Sequence, residues 1–161
     1  MNKKLIYIVA IIAAIFLIVK IIPLLSSDTE RIRKIIHDAK SATEKQRLLK
    51  CISFVSMDYN DKHGNDRSTL LFIAKNAFRE YDDLLIIIED LKIDILSDSK
   101  AVAHLRACGQ GKRQPQEKFK YILDTDRVEF DVVFKKEDND WKVVELDFIE
   151  PEDFLQFFKG L

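Results

Sequence analysis

VEFDVVFKKEDNDWKVVELDF, residues 128–148, reads as two strands and the turn between them. Val128, Phe130, Val132 and Phe134 alternate with Glu129, Asp131 and Val133, the period of two of a strand with one buried face. Lys136 to Asp140 is a charged turn, and Trp141 opens a second strand whose apolar face is Val144, Leu146 and Phe148. So short a connection makes the pair antiparallel.

Upstream the same alternation recurs. Leu91, Ile93 and Ile95 alternate with Lys92, Asp94 and Leu96, Ser97-Asp98-Ser99 makes a turn, and Ala101, Ala103, Leu105 and Ala107 continue against Val102, His104, Arg106 and Cys108. A polar loop with Pro115 is expected from Gly109 to Glu117, then a short strand through Phe119, Tyr121 and Leu123.

Before residue 90 the period is helical. Ser27-Asp28-Thr29-Glu30 and Ser41-Ala42-Thr43-Glu44 both have the capping-box form, in which a hydroxyl takes an orphan N–H at a helix start. They predict helices over about 28–39 (Ile32, Ile35, Ile36, Ala39) and 42–57 (Leu48, Leu49, Ile52, Val55). Asp58 to Asp66 is turn chemistry with Gly64 at its centre. Asn65 or Asp66 then caps a third helix that ends near 79–83 and buries Leu70, Ile73, Ala74, Ala77, Phe78 and Tyr81. The apolar sheet face is expected to pack on this third helix. At the chain end, Glu150-Pro151-Glu152-Asp153 reads as a helix start, followed by Phe154, Leu155, Phe157 and Phe158.

Helices first and antiparallel strands after them make an α+β domain over residues 27–161. The pattern resembles the nuclear-transport-factor-2-like superfamily, which includes ketosteroid-isomerase-like and polyketide-cyclase-like members. Three features over about residues 28–149 carry the resemblance: the helix–turn–helix around Tyr59-x-Asp61-x-x-Gly64-x-x-Arg67, the hairpin around Ser97-Asp98-Ser99, and the late hairpin from Phe130 to Val144. It implies a curved antiparallel sheet wrapped on helices into a cystatin-like cone, with a pocket at the mouth. It does not imply one activity, since the fold hosts several.

Residues 1–26 read as a separate element, a signal-anchor. LIYIVAIIAAIFLIVKIIPLL, residues 5–25, carries Lys20 as its one charge and as a helix would span about 31 Å, a hydrocarbon core. A cleavable signal is the rival, but no small-x-small site follows Val19. Lys3 and Lys4 ahead of the segment predict a single-pass protein with its body outside the cytoplasm. That body holds 23 basic against 27 acidic residues, a net charge of −4, and has no basic run for nucleic acid. Cys51, Cys108 and three histidines match no metal spacing, and four glycines form no phosphate loop; no cofactor is expected. The two cysteines are read as unpaired thiols over a disulfide.

Tyr59, Asp61 and His63 are the candidates for proton transfer, the kind of chemistry the resemblance implies in such cones. The competing reading gives Asp61 to the turn, accepting backbone N–H groups or pairing with Arg67, and Tyr59 to packing. His104 and Arg106, with Asp131, Glu145 and Asp147, form charged strand faces that either floor the pocket or meet water. The Phe154, Leu155, Phe157 and Phe158 cluster either caps the cone or contacts a partner, a second copy or another envelope protein. The expected function is a non-enzymatic binding or assembly module of the cell envelope, held by residues 5–25. The alternative is a small-molecule isomerase or lyase, or a ligand-binding protein, using the cone.

Overall fold

The computed structural model describes residues 27–113 and 127–148. The expected anchor, the 119–123 strand and the Phe154–Phe158 helix lie outside these residues. Among the described residues no helix is long and apolar enough to cross a membrane.

Helix α1 spans Asp28–Glu44, capped by Ser27, whose side chain accepts the Glu30 N–H at 3.3 Å. The first capping box therefore works as read. The second does not: Ser41–Glu44 is the last turn of α1, and the helix runs straight through it. Thr43 spends its hydroxyl on the Ala39 carbonyl at 2.9 Å, and the chain breaks later, where Gln46 takes φ 52°. Helix α2 is consequently short, Leu48–Ser53, rather than reaching 57. The chain after it lies along the sheet: Ser56 N–H donates to Val143 O (2.8 Å), Val143 N–H to Phe54 O (2.9 Å) and Asn60 N–H to Val144 O (3.1 Å). Sheet-edge bonding wins over continued helix for residues 54–60. Helix α3, Arg67–Glu80, is capped by Asp66, which accepts the Thr69 N–H at 2.7 Å.

The strands are β1 Tyr81–Ser97, β2 Lys100–Arg113, β3 Val128–Glu137 and β4 Asp140–Phe148, in the order β1-β2-β3-β4, each pair antiparallel. The β3–β4 turn is tight, with Asp138 and Asn139 both at positive φ (46° and 68°), as the twist of a two-residue hairpin requires. β1 starts ten residues before the expected Leu91, and β2 runs into the expected loop as far as Arg113. The alternation of β1 was hidden because its register shifts between Asp82 and Leu85 and again between Glu89 and Lys92, beside Asp83 (φ 50°) and Asp90 (φ 51°). Each such bulge swaps the faces of the residues that follow.

One more bulge corrects the late hairpin. Val133 pairs with Glu145 and Phe134 with Val143, so Val144 is the extra residue and Val143, not Val144, packs on the core. That core joins Ile32 and Ile36 of α1 to Ala101, Ala103, Val132, Phe134 and Trp141. The helix lying on the apolar sheet face is thus α1, not the third helix as expected. Ala101 and Ala103, both fully buried, are small enough to let it approach. Asp28 fastens its N-terminus to the hairpin, accepting Trp141 Nε1–H at 2.9 Å and Lys136 Nζ at 2.8 Å.

Candidate functional site

A cavity of about 520 Å³ lies between α3, α2 and the sheet. Leu70, Leu71, Ile73 and Ala74 of α3 form one wall. Leu48, Cys51, Ile52 and Val55, from α2 and the chain just after it, form another, and Phe130 and Leu146 of the sheet form the floor. Arg67 locks the two helical walls together by donating to the carbonyls of Val55 (3.3 Å) and Ile52 (3.2 Å). The remaining boundary is polar and comes from the turn before α3: Asp61, His63 and Asn65.

The turn is organised around Asp61. One carboxylate oxygen accepts the backbone N–H groups of His63 and Asn65, both at 2.9 Å; the other accepts Asn65 Nδ2 at 2.9 Å and the Tyr59 hydroxyl at 3.2 Å. Gly64, at φ 80°, returns its N–H to the Asp61 carbonyl and closes the loop. Burial by itself would raise the Asp61 pKa, but the donors from Asn65, His63 and Tyr59 outweigh it and hold the carboxyl below the usual aspartate value. Tyr59, almost fully buried, is pushed the other way, first by burial and then by the Asp61 charge. Asp61 is therefore an ionised acceptor with its lone pairs engaged, which fits the turn-forming reading. Its expected pairing with Arg67 is not made. The Tyr59 hydroxyl does bond Asp61, and Asp61 and His63 both border the cavity.

The second predicted group is elsewhere. His104, Arg106, Asp131, Glu145 and Asp147 alternate with cavity and core residues and share the opposite face of the sheet. Phe130 and Leu146 form the floor of the apolar cavity, while His104, Arg106 and Asp131, with Asp90 and Glu129, line a second, more polar concavity of about 470 Å³. These groups pair across strands. His104 Nδ1 lies 2.6 Å from Asp131, and its Nε2 3.6 Å from Asp94, which Lys92 contacts at 2.7 Å. Arg106 pairs with Asp90, and Lys62 with Asp147. Among the described residues, no group of histidine, cysteine and carboxylate side chains is arranged to hold a metal ion.

The apolar walls were in view in the sequence as helical faces, but a face that lines a space reads like one that fills a core. Cys51 is one of these wall residues. Burial raises its thiol pKa, against a weak contact with the Thr43 hydroxyl at 3.6 Å. Both cysteines are unpaired and half-buried.

No family model and no curated protein matches the chain in sequence. Solved structures do match it in shape. A hexachlorocyclohexane dehydrochlorinase from Novosphingobium barchaimii superposes with a TM-score of 0.62 at 16% identity, over 75% of this chain and 84% of that one. A nuclear-transport-factor-2-like superfamily protein from Salmonella enterica gives 0.62 at 12% identity, over 76% and 89%. A Nostoc punctiforme protein with a cystatin-like fold gives 0.60 at 9%, over 78% and 92%. The fold is the nuclear-transport-factor-2-like, cystatin-like cone.

Proposed function

We propose that this domain binds a small apolar molecule in its cone, and that residues 1–26 tether it to a membrane with the domain on the outer side. The observation that carries the first part is the cavity itself, about 520 Å³ and walled almost wholly by aliphatic and aromatic side chains, with polar groups at one end only. A space of this size and lining suits a ring-sized ligand held by burial and oriented by one polar contact. The named enzyme among the structural neighbours acts on hexachlorocyclohexane, a small apolar ring, which supports the cone over the sheet surface as the working part. The tether is motivated by the apolar run of residues 5–25.

A second reading is a lyase or isomerase in the same cavity. It is favoured by His63 and Asp61 at the polar end, and within it His63 is the stronger candidate base, because Asp61 is stabilised as a carboxylate by its donors. Native mass spectrometry of the full-length protein, extracted gently from its own membrane, tests the main reading. A low-mass apolar adduct is expected, and it should be lost in Ala74→Trp, which fills the cavity from α3. An empty wild-type protein, or an adduct equally abundant in Ala74→Trp, would refute it. If the adduct is a substrate–product pair, the lyase reading takes over.

A further inference from the structure

Asp61 brings the one carboxylate among the residues that line the cavity, and no lysine or arginine is among them. That carboxylate has no lone pair to spare for a ligand: its oxygens already take the His63 and Asn65 N–H groups, Asn65 Nδ2 and the Tyr59 hydroxyl. It bears on a ligand in two other ways. Its negative charge, bordering an apolar space, repels a second negative charge far more strongly than it would in water. It also sets the orientation of Asn65.

Asp61 grips Asn65 at three points. The Asn65 backbone N–H and Nδ2 both donate to the carboxylate at 2.9 Å, and the Asn65 carbonyl accepts the Asp61 N–H at 3.1 Å. A carboxylate only accepts, so the amide must turn Nδ2 toward it and Oδ1 away from it. Asn65, half-buried, is itself a lining residue. His63 can donate or accept according to its tautomer and so decides nothing about the ligand's sense.

We propose that this turn selects the ligand by charge and by hydrogen-bonding sense: the cavity takes an uncharged ring compound carrying a hydroxyl, whose O–H donates to Asn65 Oδ1, and rejects the corresponding carboxylate. Asp61 is then a specificity-determining residue that touches no ligand. The inference rests on the cavity being the binding site proposed above. It carries a reversal. In Asp61→Asn the charge is gone, and the new amide, keeping its oxygen on the backbone N–H groups of His63 and Asn65, offers Nδ2 where an acceptor stood. Asn65 must rotate to accept from it, which presents Nδ2 to the ligand in place of Oδ1.

Cys51, a wall residue, reports occupancy. In the full-length chain carrying Cys108→Ser, the rate at which N-ethylmaleimide modifies Cys51 is followed against the free aqueous concentration of three probes that share one ring system: 2-naphthol, naphthalene and 2-naphthoate, at pH 7. Naphthol should protect at a concentration about tenfold lower than naphthalene, the scale of one net hydrogen bond, and naphthoate should need about a hundredfold more than naphthol. In Asp61→Asn naphthol should weaken and naphthoate strengthen, closing the gap by at least tenfold. Ala74→Trp should abolish protection by all three. Naphthoate protecting the wild type as well as naphthol does, with both effects lost in Ala74→Trp, overturns the inference and leaves the cavity standing as a binding site. Naphthol no better than naphthalene overturns it too, as does an Asp61→Asn chain in which naphthol and naphthoate weaken by the same factor, the mark of a merely loosened turn. Protection by none of the three, or protection that survives Ala74→Trp, strikes the cavity reading and this inference with it.

Discussion

Asp61→Ala separates a structural carboxylate from a catalytic one. The substitution removes the acceptor of four hydrogen bonds: from the Tyr59 hydroxyl, the His63 and Asn65 N–H groups and the Asn65 side chain. Bonds to a charged acceptor are worth about 1.5–3 kcal/mol each, but they are not additive, and water can replace the acceptor for the exposed His63 N–H. The Tyr59 hydroxyl, on a residue 2% exposed, has no such replacement. The expected loss is about 3–5 kcal/mol, a large part of the roughly 5–15 kcal/mol that holds a domain together. It should appear as a fall in Tm of about 10–15 °C. Asp61→Asn keeps one acceptor oxygen and should lose about 1–2 kcal/mol. The pH dependence has a definite sign. The folded-state pKa lies below the unfolded one, so the carboxylate stabilises fully above about pH 4, and its contribution disappears as pH falls through the folded value. Urea unfolding at neutral pH should therefore separate wild type from Asp61→Ala widely, and the two should converge on acidification. A variant as stable as wild type at pH 7 would refute the structural assignment and return Asp61 to the list of possible bases.

Asp28→Ala strands the indole N–H of the buried Trp141 and should cost about 1–3 kcal/mol, followed by the fluorescence of this single tryptophan during unfolding. The hydrogen bond from Lys136, then that from Trp141, holds the Asp28 pKa below its usual value, so this difference too should shrink as pH falls through the folded value; a gap that widens in acid would contradict the assignment. His104→Ala, on the solvent face, should change stability by less than about 1 kcal/mol and leave the native-mass adduct in place; loss of the adduct would put His104 at the binding site after all.

The late hairpin was legible because its alternation, turn and tryptophan agree over twenty-one residues, and α3 because Asp66 caps it where the turn chemistry ends. What escaped was set by tertiary contacts. A capping box is a local signal, and Ser41–Glu44 lost to the continuation of α1, whose Ala42 is buried. The first part of β1, Tyr81 to Asp90, was hidden by two bulges that break the period of two. The choice of α1 over α3 as the helix on the sheet depended on Ala101 and Ala103, which look ordinary until their burial is known. In the candidate site, the role of Asp61 in the turn was readable from spacing, whereas its bond from the Tyr59 hydroxyl was not. A pocket followed from the resemblance alone; which residues wall it was not readable, because that depends on how α2, α3 and the sheet meet.

Glu44, placed by the sequence in a cap, ends up elsewhere. Its carboxylate accepts the outward-facing N–H of Ile86 at 2.9 Å, while Gln46 donates to the Tyr81 carbonyl at 2.7 Å. β1 is the end strand of the sheet, and these two side chains occupy part of its outer row of backbone groups. The bulges at Asp83 and Asp90 cut the rest into short, twisted lengths. A seventeen-residue strand at a sheet margin would otherwise be a template for cross-chain pairing and fibril growth. The end of α1 and the turn after it thus guard this edge of the sheet against aggregation.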